Sequence, residues 1–278
     1  MIEHPVALII ARGGSKRLPR KNVLPFCGKP LVEWSIIQLR CSRVLTEDQI
    51  YLSTDDDEIA GIGERHGIHI IRRPDWPDAD RLSACVVYKH AFETILQARP
   101  VSHAYTLLPT QVIRHPWDFW NLTQRYYELE AAGYDCGEVL LLAEQRETVI
   151  HKQRGVLARP VAFDKGFHYF GQGPSVEIHK LEHLQRVHAL AIRYDSEWNT
   201  TPQGRAFTYR WVYWLEGRWY QTYDIDDQDS FELCEILFER YVLKGRGDAV
   251  YWEYKRGGDG DGRVDEGERA AAGRGSGG

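Results

Sequence analysis

A chain of 278 residues, 43% of them hydrophobic, can bury the core of one large domain carrying a small appendage. Its net charge of -5 is opposite in sign to the footprint of a nucleic-acid binder. Five scattered cysteines without metal spacing, no leader pattern and no apolar run of membrane-spanning length set the expectation of a cytoplasmic protein with reduced thiols and no membrane or nucleic-acid partner.

Val6 to Ile10 is a continuous apolar run, which predicts a parallel strand buried on both faces. It opens into Ala11-Arg12-Gly13-Gly14-Ser15-Lys16-Arg17-Leu18-Pro19-Arg20-Lys21-Asn22. Gly13 and Gly14 let backbone N–H groups come close to a polyanion, and the five cations offset phosphate charge. The glycine spacing fits neither a Walker loop nor a dinucleotide fingerprint. Asn22, with one carbonyl and one amide group, can read a polar edge of a nucleotide.

Beyond the loop, Leu31, Trp34 and Ile37 share a helical face, with Pro30 in the first turn. Ile50 to Ser53 reads as a strand, Thr54 or Asp55 as the cap of a helix, and Gly67 as its stop before a strand over Ile68 to Ile71. A helix from about Leu82 to Gln97 precedes a strand over Tyr105 to Leu108, bounded by Pro109. Pro116 starts a helix through Tyr126 and Leu129, and Val139 to Leu142 is a further core strand. This alternation predicts an α/β fold with a mostly parallel sheet between helices.

Downstream, Tyr209, Trp211, Tyr213, Trp214, Trp219 and Tyr220 cluster around Glu216-Gly217 and read as a packed or interface hairpin. Tyr223-Asp224-Ile225-Asp226-Asp227 reads as a strand end that turns Asp224 and Asp226 to one face. Two hard carboxylates there suit Mg²⁺, with Mn²⁺ as a substitute. Phe231, Leu233, Cys234, Leu237, Phe238 and Tyr241 form the apolar side of the next helix. His151, His168, His179, His183 and His188 lack tight ligand spacing and read as separate surface or packing residues rather than a zinc site. The tail from Gly257 to Gly278 only partly matches a calcium loop and reads as a solvated, disordered extension.

The segment Ala11 to Asn22 resembles the signature of the acylneuraminate (CMP-sialic acid synthetase type) cytidylyltransferases, with CMP-KDO synthetases carrying a looser version. Leu52-Ser53-Thr54-Asp55, Arg73-Pro74 with Asp80 and Ser83, and the aspartate pair extend the resemblance over roughly residues 5 to 245. It implies a Rossmann-like, three-layer fold of the nucleotide-diphospho-sugar transferase type over residues 1–256. A small protruding element at about 144–186 would mediate homodimerisation and sugar binding.

The resemblance also implies a reaction in which CTP and an acidic, nonulosonate-type sugar give a CMP-sugar and pyrophosphate. Ala11, Arg12, Gly13, Gly14, Ser15, Lys21, Asn22, Arg73 and Ser83 would hold the nucleotide. Arg12, Lys16, Lys21, Asp224 and Asp226 would act in catalysis, with the two aspartates on the metal. The family's Leu-Gln-Pro-Thr-Ser-Pro-Leu-Arg motif stands here as Leu107-Leu108-Pro109-Thr110-Gln111-Val112-Ile113-Arg114, with Leu108 where a sugar-binding glutamine belongs. Gln111, Arg159 and Gln172 are the remaining candidates for the sugar. A cytidylyltransferase acting on another acid, such as a phosphonate, and a non-catalytic nucleotide-binding homologue are the alternatives. Arg81 departs from the small hydroxyl residue expected after Asp80.

Removal of everything after Arg256 is expected to leave melting temperature and turnover almost unchanged, because the tail lacks apolar surface to offset its ordering entropy. Thermal melts of full-length and truncated chains check this, and a loss of several degrees would contradict it.

Overall fold

The computed structural model describes residues 2–76, 82–143, 150–153, 156–160, 177–186 and 212–245. The expected tail, Gln172 and Asp80 lie outside these residues.

The central sheet grows from β1 (Pro5–Ile10), β4 (Ile50–Thr54) and β6 (His103–Leu107), which are buried almost throughout. With β5 (His69–Arg72), β7 (Glu138–Ala143), β10 (Glu177–Lys180) and β11 (Val212–Gly217), they form seven strands in the order β11-β7-β10-β6-β1-β4-β5. All pairings are parallel except those of β10, which is antiparallel to both neighbours. Two separate ladders complete the strands. β2 (Pro25–Phe26) pairs with β3 (Lys29–Pro30) across Cys27 and Gly28, both at positive φ as a tight hairpin turn requires, and β8 (Ile150–Gln153) pairs with β9 (Val156–Pro160).

Alternation along β1 divides the core. Ala7 and Ile9 face α1 (Leu31–Ser42), α2 (Asp57–Arg65) and α4 (Pro116–Ala131), where Val32, Ile36, Ile59, Phe119 and Leu122 pack. Val6, Leu8 and Ile10 face the opposite layer, against Val87, Ala91 and Phe92 of α3 (Ala84–Ala98). The three-layer sandwich follows. A third cluster joins Phe26, Trp34 and Ile113 to Ile225 and to Phe231 and Leu237 of α5 (Gln228–Leu237).

Several local expectations shift. Asp56, not Thr54 or Asp55, caps α2 by accepting from Ile59 N at 3.0 Å, and Pro30 lies just ahead of α1 rather than within its first turn. The Asp224-Ile225-Asp226 segment is not a strand; it follows a 3-10 turn over Trp219–Thr222. The aromatic strip is no hairpin at Glu216-Gly217, because β11 is an edge strand parallel to β7 that runs straight into that turn. Residues 177–186, assigned from sequence to the protruding element, lie in the main body: β10 is inserted between β6 and β7, and Leu181 and Leu184 join the α3-side core. β8 and β9 are the described part of that element.

Insertion of β10 also buries His179 between Glu138 and Glu177, with His183 beside Glu138. Burial opposes a charged ring, but the two carboxylates outweigh it and push the His179 pKa up to about 10. A folded pKa above the unfolded value of about 6.5 gives stability that is fully present below pH 6.5 and lost as pH rises through 10. Urea unfolding should therefore show a larger loss of stability between pH 7 and pH 10 in the wild type than in His179→Asn; equal losses would contradict the assignment.

Candidate functional site

From β1 the chain steps outward to β4 and β5, then crosses back to β6 on the other side of β1. The loops after β1 and β6 diverge at this switch point, where open α/β sheets form a crevice at their carboxyl ends. Ala11 N donates to Ser53 O at 3.0 Å and prolongs the ladder into the first loop. Gly13 N then donates to Asp55 Oδ1 at 2.8 Å, and a Cβ on Gly13 would lie 2.4 Å from Asp56 Oδ2. Glycine is needed here for close approach to the start of α2. The loop also gains acidic partners at the start of α2: the Gly13 amide donates to Asp55, and Arg20 pairs with Asp56 and Glu58. Gly14 and Lys16 are exposed and Ser15 half-buried on the remainder of the loop.

The aspartate segment reaches this loop from more than 200 residues away. Ile225 is fully buried, and its N–H donates to Thr110 O at 3.1 Å in the loop after β6. Ser230 Oγ accepts from the amides of Asp226 and Asp227 at 2.9 Å each, and Asp227 caps α5 through Ser230 N at 3.0 Å. On the other flank, Gln221 Nε2 donates to buried Asp118 Oδ2 at 2.7 Å, and Tyr220 OH meets His115 Nε2 at 3.0 Å. Burial pushes Asp118 up to about 6 and His115 down to about 3.

Arg17 Nη2 pairs with Asp226 Oδ1 at 2.9 Å, and Lys21 Nζ donates to Ile225 O. With both partners largely exposed, the Arg17 pair contributes only about 0–1 kcal/mol and is easily displaced. Burial lowers the Lys21 pKa while Asp224 and Asp226 oppose the shift. Burial likewise raises Asp224, against the Thr110 hydroxyl and Lys21. Asp224 Oδ1 and Asn22 Oδ1 are both buried without a hydrogen-bond partner among the described residues, while Asn22 Nδ2 donates to Arg12 O at 2.8 Å. An orphaned carboxylate oxygen beside a second carboxylate suits a hard cation.

Arg73 braces against β4 through Ser53 O at 2.9 Å and Ser53 Oγ at 3.2 Å; burial lowers its pKa, with Asp55 opposing and Arg12 close enough to add to the lowering. Ser83 is exposed and caps α3 through Cys85 N at 3.3 Å, with no described contact to the other candidates. Half-buried Gln111 closes a turn onto Leu108 O at 3.1 Å. Arg159 lies in β9, described by its backbone path. Arg114 is fully buried, donating to Gln38 Oε1 at 2.7 Å and Ser35 Oγ at 2.5 Å, so it bolts the loop after β6 onto α1.

Thus Arg12, Lys21, Asn22, Arg73, Asp224 and Asp226 converge around the switch point. Sequence reasoning did not single out Asp55, Thr110 or Arg17 as site residues. Thr110 stands in the motif after β6 and Asp55 at the end of β4, so position at a strand's carboxyl end was the available signal. A cavity of about 680 Å³ bordered by Arg218, Tyr220, Ile236, Glu239, Arg240 and Tyr241 shares no residue with this constellation.

The cytidylyltransferase family matches residues 6–139, which include the glycine loop and Arg73 but not the aspartate pair. The pseudaminic acid cytidylyltransferase of Campylobacter jejuni subsp. jejuni serotype O:2 is 28% identical over 183 residues, covering 60% of this chain and 77% of that protein. N-acylneuraminate cytidylyltransferase B of Danio rerio is 41% identical over 70 residues, 25% of this chain and 16% of that protein. Among solved structures, CMP:2-keto-3-deoxy-manno-octonic acid synthetase complexed with CTP matches with a TM-score of 0.63 at 16% identity, covering 86% of this chain and 100% of that one; the likeness is one of fold.

Gly13→Ala is expected to force Asp56 away from the loop and destabilise the protein by about 1–3 kcal/mol, the usual cost of overpacking. Denaturant unfolding measures this directly, and an unchanged midpoint would contradict the close approach.

Proposed function

We propose that this chain, whose residues 6–139 match the cytidylyltransferase family, transfers CMP from CTP to an acidic sugar of the nonulosonate type, releasing pyrophosphate. The observation that carries this reading is the meeting of the loop after β1 with the aspartate segment, Arg17 to Asp226 at 2.9 Å. A polyanion-binding loop and a carboxylate pair then act on one substrate. Attack at the α-phosphorus calls for charge neutralisation and in-line positioning rather than covalent catalysis. Arg12, Lys16 and Lys21 balance the charge that develops on the departing pyrophosphate, and Arg17 leaves Asp226 to join them. Buried Asn22 Oδ1 supplies an acceptor for a donor group on the nucleotide.

Asp224 and Asp226 would hold Mg²⁺ or Mn²⁺, which when bound polarises the α-phosphate and lowers the pKa of the attacking hydroxyl. The orphaned Asp224 oxygen supports this fit. On the acceptor side, Leu108 offers no hydrogen bond where the motif that this segment resembles has glutamine, so a sugar other than N-acetylneuraminate is the preferred substrate. The relative covered over 77% of its length, named for pseudaminic acid, agrees with this choice. No helix among the described residues is long and apolar enough to cross a membrane. A cytoplasmic homodimer assembled through the element at about 144–186, with Arg159 among the residues that bind the sugar, completes the proposal.

Pyrophosphate release from each nucleoside triphosphate with a panel of acidic keto sugars tests the reading. Turnover should favour CTP, stop in EDTA, and largely vanish in Asp226→Asn with its melting temperature unchanged. With N-acetylneuraminate, kcat/KM should fall below about 10⁴ M⁻¹s⁻¹. Equal use of ATP, or full activity in EDTA, would overturn it.

A further inference from the structure

β10 runs against the rest of the sheet, so its first residue, Glu177, stands opposite Thr106 near the carboxyl end of β6. Thr106 Oγ1 donates to Glu177 Oε2 at 2.9 Å, and His179 Nε2 lies 2.9 Å from both that oxygen and the hydroxyl. The other ring nitrogen faces Glu138 Oε2 at 3.5 Å. Glu138, Glu177 and His179 each bring one ligand atom within 4.8 Å of the others, while His179 Nδ1 itself has no hydrogen-bond partner among the described residues. A charged His179 beside both carboxylates, hydrogen-bonded to Glu177 and 3.5 Å from Glu138, accounts for the grouping, and its raised pKa agrees.

The consequence is a carboxylate held by one oxygen. Both contacts to Glu177 fall on Oε2; among the described residues Oε1 receives no hydrogen bond, and the side chain is 26% exposed. The cluster also borders the candidate site. Tyr88 of α3 hydrogen-bonds Thr106 and interacts electrostatically with both Glu177 and Arg73. Displacement at phosphorus is in line, so the acceptor lies opposite the departing pyrophosphate. With pyrophosphate over the loop after β1, the acceptor side falls over β6 and its next neighbour, β10.

We propose that Glu177 recognises the acceptor sugar, its Oε1 accepting a hydrogen bond from a hydroxyl or amide N–H on the ring. The proposal rests on the acidic-sugar reading above. Thr106 and His179 are positioning residues that fix the carboxylate, and the His179 charge offsets the anions around it. The group read is a neutral donor remote from the sugar's own carboxylate, since like charges repel.

Glu177→Gln tests this with little change of shape. Its carbonyl keeps the contacts to Thr106 and His179, while its amide replaces the open acceptor by a donor. On the acidic sugar that the wild type turns over, KM for the sugar should rise about tenfold or more, the effect of one lost hydrogen bond. KM for CTP, calorimetric CTP affinity and melting temperature should stay at wild-type values. Thr106→Val should shift KM for the sugar in the same direction by a smaller factor. An unchanged sugar KM in Glu177→Gln, or equal rises in both KM values, would overturn the proposal alone. A wild type that binds CTP yet turns over no acidic sugar would overturn the function and this inference together.

Discussion

The joining of Ile225 to Thr110 is the contact on which the site depends. One backbone hydrogen bond of 3.1 Å and a fully buried side chain tie the C-terminal part of the chain to the loop after β6. Full burial of an isoleucine is worth roughly 1.5–3 kcal/mol, several times the value of the exposed Arg17–Asp226 pair that crosses the same gap. Apolar packing therefore holds the carboxylates in place, and the ion pair is left free to exchange for substrate charge.

Around that contact, buried polar groups act as rigid spacers. Arg114 links α1 to the loop after β6, and Asp118 links α4 to the turn before Asp224. Removing either partner would strand groups whose desolvation costs about 1–3 kcal/mol each. Among the described residues, Asn22 Oδ1 and Asp224 Oδ1 are the buried side-chain oxygens without a hydrogen-bond partner, along with one ring nitrogen each of His90, His103, His115, His179 and His183. Unsatisfied groups at a sheet's carboxyl edge mark where a ligand completes the hydrogen-bond inventory.

The loop after β1 divides its charges between two tasks. Asp55, Asp56 and Glu58 at the start of α2 take up the Gly13 amide and Arg20, which sets the loop's path. Arg12, Arg17 and Lys21 lie on the side of the aspartate pair and Arg73. A basic count alone cannot make this division, because it depends on which acids the fold brings alongside.

Local pattern was enough for the elements that depend on nearest neighbours. Apolar runs such as Val6 to Ile10 and proline at the start of α4 are legible because burial and backbone geometry act over a few residues. The glycine loop and the aspartate pair were likewise readable as chemistry, since residue type and spacing define what each can bind. Register and long-range pairing decided the rest. That β10 inserts antiparallel between β6 and β7, that Glu177 meets Thr106 and His179, and that Asp55 accepts from the Gly13 amide all follow from packing between distant segments. The same applies to Asp224-Ile225-Asp226, which has the alternation of a strand but is held by tertiary contacts, such as Ile225 N–H to Thr110 O, as an irregular segment.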